Sequence, residues 1–156
     1  MNIVKFQAID AVKWRNQIAD LLFEASVISF TEDVASMEKC YEEAEKLKSY
    51  LEDDKAFFLA AIGETELAGF LWAYPREIGN SKRLHLNHLI LRKEFRNGGI
   101  GTALMKSLEN YVKECRFSGF ELMVSKSNEK AISLYQKLGY RTERFLMFKD
   151  AEQAND

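Results

Sequence analysis

The passage from Arg83 to Cys115 limits the fold of this chain more than any other. A stretch in strand rhythm, Arg83 to Arg92, runs into Arg96-Asn97-Gly98-Gly99-Ile100-Gly101, and a helical rhythm follows at once. Leu104, Leu108, Tyr111, Val112 and Cys115 fall at i, i+4, i+7, i+8 and i+11, which is one face of a helix. Glycines at 98, 99 and 101 remove Cβ atoms where the backbone turns. Successive N–H groups can then converge on an anion at the positive end of the helix dipole, and Arg96 adds a full charge. A phosphate or pyrophosphate suits such a turn; a plain structural turn is the other reading. The P-loop pattern is absent, because no Gly-Lys-Ser or Gly-Lys-Thr occurs. The dinucleotide pattern is absent too, since Leu104 stands where its last glycine belongs.

The strand ahead of this turn carries a second signal. Leu84 and Leu86 alternate properly, Asn87 and His88 interrupt, and Leu89 and Leu91 resume on the opposite phase. A one-residue slip of this kind is what a β-bulge leaves in a sequence. The strand should kink near Asn87–His88 and splay from a neighbour. His85 then lies opposite Leu84 and Leu86 before the slip, and His88 and Ile90 share that face after it.

The remaining pattern sets the order of elements. Ile3 to Ile9 reads as a strand, and Asp10 caps a helix to Glu24 with Val12, Ile18, Leu21 and Leu22 buried. Ala25 to Asp33 reads as an exposed loop or a short helical turn, and a charged helix spans Val34 to Leu51. Ala56 to Ile62 and Leu67 to Tyr74 flank Gly63-Glu64-Thr65-Glu66 as a covered hairpin that Pro75 ends. Phe120 to Val124 is a further strand, Asn128 caps a helix with Ala131, Ile132, Tyr135 and Leu138 as its stripe, and Gly139 stops it. Arg144 to Phe148 reads as a last strand. The resulting order, β-α-α-β-β-β-α-β-α-β, predicts an α/β chain: an α+β mixed sheet with helices on both faces. One domain over residues 1–150 and a frayed tail over 151–156 are expected.

Composition excludes several classes. Apolar residues at 47% and charged residues at 29% are ordinary for a globular chain. With 22 basic against 24 acidic residues there is no basic surplus for nucleic acid, and no run is long enough to span a membrane. Met1 to Phe6 lacks the apolar core of a secretion signal, so a cytoplasmic location is expected. Cys40 and Cys115 read as small apolar fillers rather than a disulfide or a catalytic thiol.

Two motifs together resemble a known family. Arg96-x-x-Gly99-x-Gly101 resembles the R/Q-x-x-G-x-G/A motif of the GNAT N-acetyltransferases. Asn128-Glu129-Lys130-Ala131-x-x-Leu134-Tyr135-x-x-Leu138-Gly139-Tyr140 resembles that family's N-x-x-A-x-x-x-Y-x-x-x-G-F/Y signature. The clear match covers residues 83–149, and the earlier part agrees mainly in element order. The resemblance implies a GNAT-like acyl-CoA N-acyltransferase fold with a central sheet of six to seven strands, and acetyl-CoA as co-substrate without a metal. Pantetheine would lie between the bulged strand and its neighbour, bonded by the backbone around Leu89, Ile90 and Leu91. Amides from Asn97, Gly98, Gly99, Ile100, Gly101 and Thr102 would hold the pyrophosphate, with Arg96 nearby. Asn128 would approach the cofactor, a role compatible with a plain helix cap. Tyr135 would act as acid for the leaving thiolate, its other reading being a core aromatic. The position where the family often carries an early carboxylate is His85 here. His85 is thus the candidate base, with a water relay as the alternative; His85 and His88 show no third ligand for a metal.

The chemistry required is clear from the reaction itself. The attacking amine must be neutral, so something must take its proton at neutral pH. The carbonyl oxygen gains negative charge, which a backbone N–H left free at a bulge can stabilise. Two function classes remain: transfer of acetyl from acetyl-CoA to a small amine, an aminosugar or a protein amine, or acetyl-CoA binding without catalysis on the same fold. A third, nucleotide binding, would need a Mg²⁺ ligand beyond Thr102. Acceptor contacts are expected from Ala25 to Asp33 and Trp72 to Asn80, with Phe30, Glu32, Trp72, Tyr74 and Glu77 as contributors. Few residues follow Tyr140, so the C-terminal edge of the sheet is expected either to be bare or to be completed by a second copy of the chain as a homodimer.

Overall fold

The computed structural model describes residues 1–29 and 35–152. In chain order it contains strand β1 (Asn2–Lys5), helices α1 (Ala8–Ser29) and α2 (Met37–Glu52), and strands β2 (Phe57–Ile62), β3 (Leu67–Ile78) and β4 (Ser81–Leu91). A 3-10 turn (Lys93–Phe95), helix α3 (Ile100–Glu114), strand β5 (Gly119–Leu122) and helix α4 (Glu129–Lys137) follow. The chain divides into two units, Met1–Met123 and Val124–Asp156.

The first unit is built on one mixed sheet. Among the described residues it has five strands in the order β1-β2-β3-β4-β5, fewer than the six to seven expected. Neighbours are antiparallel as far as β4, and β5 joins β4 in parallel. Parallel neighbours cannot be joined by a tight turn, and α3 supplies the crossover. Helices α1 and α2 cover one face, where Ile18, Leu21, Leu47, Phe58, Phe70, Trp72 and Ile90 form a single cluster. Phe58 stacks on Phe6 at 5.2 Å and on Phe70 at 4.8 Å between ring centroids. Truncating a ring buried in this way costs about 3–5 kcal/mol. Helix α3 covers the other face with Leu104, Met105, Leu108 and Val112 buried, and Tyr111 stacks on Phe57. Cys115, expected on that buried stripe, is exposed, while Cys40 is buried.

Several boundaries differ from the sequence reading, each for a physical reason. The first helix starts at Ala8, so the strand before it stops at Lys5. Asp10 sits inside the first turn and takes a hydrogen bond from the Gln7 backbone N–H at 2.9 Å, which anchors the helix start from within. Ile18, Leu21 and Leu22 are buried as expected, but Val12 is exposed, and Ala11 and Ala19 face the core instead. Residues Ala25 to Ser29 are helical, as the second of the two readings had it, and continue the first helix without a break; Phe30 and Glu32 lie outside the described residues. Strand β3 runs through Pro75 to Ile78. Beyond Ala73 it has β4 on one side only, because β2 pairs no further than Phe57 with Ala73. A residue without an N–H is tolerated where one flank of the strand is open.

The second unit holds α4 and the residues after it. Asn128 Oδ1 accepts the Ala131 N–H at 3.2 Å, which caps the helix. Gly139 adopts φ 89° just beyond it, the left-handed conformation that closes a helix C-terminus. The strand expected at Arg144 to Phe148 is not formed. Phe145, Leu146, Met147 and Phe148 are 86–94% exposed. An apolar run becomes a strand only where a neighbouring edge meets its N–H and C=O groups, and composition cannot supply that edge.

Candidate acetyl-donor and acceptor site

The bulge lies where the phase slip placed it. Trp72 is opposite His88 and Ala73 is opposite Leu86, so Asn87 is the extra residue in β4. On the other flank β5 pairs with β4 only from Arg83–Gly119 to Leu86–Leu122. From Asn87 to Leu91, β4 therefore has no strand partner on that side among the described residues. A gap opens along Leu89, Ile90 and Leu91, bordered by unpaired backbone of the kind that can bond an extended ligand.

The gap leads to the start of α3. Gly99 is its N-cap with φ 81°, a conformation strained for any residue with a side chain. A Cβ built there would meet nothing within 4 Å. The N–H groups of Ile100, Gly101 and Thr102 are the first of the helix, and no carbonyl of the helix can reach them. Asn97 also turns left-handed, with φ 63°. Arg96 donates from Nε to the Leu91 carbonyl at 3.0 Å. This bond ties the loop to the end of β4 and takes one of the lone pairs that a ligand along the gap would use. Open space, free first-turn amides and a cation on one rim suit a pyrophosphate.

On the α1–α2 face a cavity of about 710 Å³ opens between α2 and the bulged strands. Trp72, Tyr74, Pro75 and Asn87 form its sheet side, and Lys39, Glu42, Glu43, Lys46 and Tyr50 line it from α2. Trp72 and Tyr74 were expected to meet an acceptor, whereas Glu77 is exposed and is not part of this wall. The lining holds three lysines, Lys39, Lys46 and Lys55, against Glu42 and Glu43, so it is not the acidic pocket that a cationic amine alone would suggest.

Two histidine–carboxylate pairs flank Asn87. His88 Nε2 lies 2.9 Å from Glu43 Oε1 and joins β4 to α2. The His88 bond holds the Glu43 carboxyl below its usual range, against burial that would raise it. His85 is 5% exposed and the one buried polar or charged side chain among the described residues. Its Nδ1 lies 3.1 Å from Glu121 Oε1. Arg76 reaches the same oxygen at 2.8 Å, and Arg83 reaches Oε2 at 3.3 Å. Burial by itself would raise the Glu121 carboxyl, but His85 and the two arginines outweigh it and lower it. Glu43 and Glu121 were not singled out from sequence. Glu43 looks like one more charge on a solvated helix, and Glu121 like a polar gap in an apolar strand; pairing alone reveals them.

Asn128 and Tyr135 belong to the second unit. Asn128 is the cap described above. The Tyr135 ring lies 5.5 Å from that of Tyr140, and burial pushes its hydroxyl above the usual range. No group of three or more metal-ligating side chains occurs among the described residues. None of their helices is long and apolar enough to cross a membrane.

Comparison with known proteins agrees with this geometry. A thialysine N-epsilon-acetyltransferase of Caenorhabditis elegans is 33% identical over 122 residues, 73% of this chain and 74% of the relative. An uncharacterized N-acetyltransferase of Methanocaldococcus jannaschii is 40% identical over 75 residues, 45% of this chain and 47% of the relative. The chain thus spans about half the length of some of the curated relatives it matches, the human N-acetyltransferase 8 among them at 49%. In fold, a tetramutant of a Bacillus halodurans protein superimposes with a TM-score of 0.77 at 20% identity, covering 96% of this chain and 99% of that one. The family model for the acetyltransferase (GNAT) family matches residues 17–140, taking in the bulged strand, the glycine turn and α4 alike. A split strand pair, a glycine-led helix and that match converge on one conclusion: this chain belongs to the GNAT acetyltransferase family.

Proposed function

We propose that this chain transfers the acetyl group of acetyl-CoA to a primary amine by direct attack within a ternary complex. The observation that carries the reading is the end of β4–β5 pairing at Leu86–Leu122, one residue before the bulge and on the path to the glycine-capped start of α3. Acetyl-CoA supplies an activated thioester. The backbone of Leu89, Ile90 and Leu91 would bond its pantetheine arm, and the amides from Asn97 to Thr102 its pyrophosphate, with Arg96 on the rim. Asn128 would serve as cap and cofactor neighbour together.

The amine would enter the cavity between α2 and the bulged strands. His85 would take the proton from its ammonium form. The freed lone pair then forms the N–C bond; as the adduct collapses the C–S bond breaks, Tyr135 would protonate the departing thiolate, and the second proton lost by the nitrogen returns through solvent to the tyrosinate. The Caenorhabditis relative, whose name places the acetyl group on an ε-nitrogen, favours a side-chain-like amine among the acceptor classes.

A panel of diamines, amino acids, aminosugars and peptides with acetyl-CoA tests the reading through the release of free thiol. Release with one class of primary amine and acetylation of its nitrogen is the expected result. Tight acetyl-CoA binding without thiol release from any amine would point to a binding domain instead.

A further inference from the structure

We propose that Glu121 is a positioning residue for the acetyl transfer: it holds His85 as the Nδ1–H tautomer, leaving the Nε2 lone pair to accept the proton of the amine. The proposal rests on the reading of His85 as the base.

The arrangement is specific in its geometry. His85 and Glu121 are directly opposite in the parallel β4–β5 register, on the last rung but one before the strands part. Glu121 Oε1 takes Arg76 Nη1 at 2.8 Å, and Oε2 takes Arg83 Nη1 at 3.3 Å, so the carboxylate is fixed by both oxygens. An arginine only donates, and a fixed carboxylate only accepts. Nδ1 of His85, 3.1 Å from Oε1, must therefore be the donor in that contact. Arg76 Nη1 approaches Nδ1 at 3.5 Å, longer than its own bond to Glu121, so the carboxylate is the better partner of both. The Tyr74 ring lies 4.9 Å from the imidazole at 36° and restrains it from the β3 side. Nε2 has no hydrogen-bond partner among the described residues.

The charges that face His85 explain why a carboxylate is needed there. Arg76 and Tyr74 come from β3, Arg83 from its own strand and Glu121 from β5. From α2, Glu43 is engaged by His88, and Lys46 lines the cavity beside it. Without Glu121, two arginines would oppose any positive charge on the ring. With it, the proton that leaves the ammonium reaches Nε2, the imidazolium forms against a carboxylate that stays ionised, and no proton passes to Glu121.

The chain has two histidines, so ¹⁵N spectra of its imidazoles are simple, and the spectrum of His85→Gln assigns the remaining one by difference. In the wild type, neutral His85 should carry its proton on Nδ1. Glu121→Gln keeps the shape and the acceptor oxygen but removes the charge, so the His85 midpoint should fall by about one pH unit. Arg76→Gln removes an opposing cation from an exposed position, so that midpoint should rise. The acidic limb of kcat/KM should move down in the first variant and up in the second, by matching amounts. Loss of melting temperature alone, with both midpoints unmoved, would overturn the proposal, as would an Nε2–H tautomer in the wild type. If His85→Gln keeps the acidic limb while the spectra shift as described, the base reading itself fails, and Glu121 then orients a ring that the reaction does not use.

Discussion

At the scale of single residues, the clearest test falls on Tyr135. Burial raises its hydroxyl above the usual range, but any tyrosine holds its proton at neutral pH, so turnover and not protonation separates a proton donor from a core ring. Tyr135→Phe keeps the ring and its neighbour Tyr140 but removes the only proton the side chain can give. Turnover at saturating acetyl-CoA should fall by roughly 10²–10⁴-fold, while melting temperature and acetyl-CoA affinity change little. A variant with full turnover, chemistry being the slow step, would remove Tyr135 from the mechanism. Gly99 was legible because it belongs to a local pattern, a turn before a helix; spacing put Tyr135 on a helix stripe, where a core aromatic is the simpler reading, and only the motif gave it a role. Glu121 was not legible, because its meaning lies in His85 and Arg76, which the chain places on other strands.

At the scale of elements, the pair Glu43–His88 joins α2 to β4 beside the bulge. A carboxyl held low in the folded state contributes stability that is present above its ordinary value of 4.5 and lost as pH falls through its lower folded value. Both groups are partly exposed, so the contribution is modest, about 0.2–1 kcal/mol. Glu43→Gln should lower stability by that amount at pH 7, and the gap to the wild type should close as denaturation is repeated toward pH 3. A gap independent of pH would mean that packing of α2, and not the charge, joins the two elements. The bulge of β4 was readable, since a slip in alternation is a local record of an extra residue. Pro75 misled because a proline reports a missing N–H but not which flank of a strand is open; pairing of β3 with β4 alone beyond Ala73 made room for it. The apolar run at 144–148 misled in the opposite sense: it has strand composition but pairs with no strand among the described residues.

At the scale of the whole molecule, a ligand held by the glycine-led turn should stabilise the fold by mass action. Acetyl-CoA at a hundred times its Kd should contribute about 2.7 kcal/mol, which raises Tm by about 5–10 °C for a chain of this size. Gly99→Val should melt lower without ligand, because φ is 81° there, and should also lose the ligand-induced rise. Strain lowers the first value only, so a normal rise in the variant would separate the turn from the binding site. The sequence by itself determined the order of elements as far as α4, the glycine turn, the bulge and the two family motifs, because each is written in side-chain period and backbone freedom over a few neighbouring residues. Tertiary structure alone decided the five-strand count, the point at which β5 stops pairing, the cavity under α2 and the carboxylate partner of each histidine. These depend on which distant segments share a hydrogen-bonded edge or a packed face, and that is set by the free energy of the assembled sheet and helices rather than by any local run of residues.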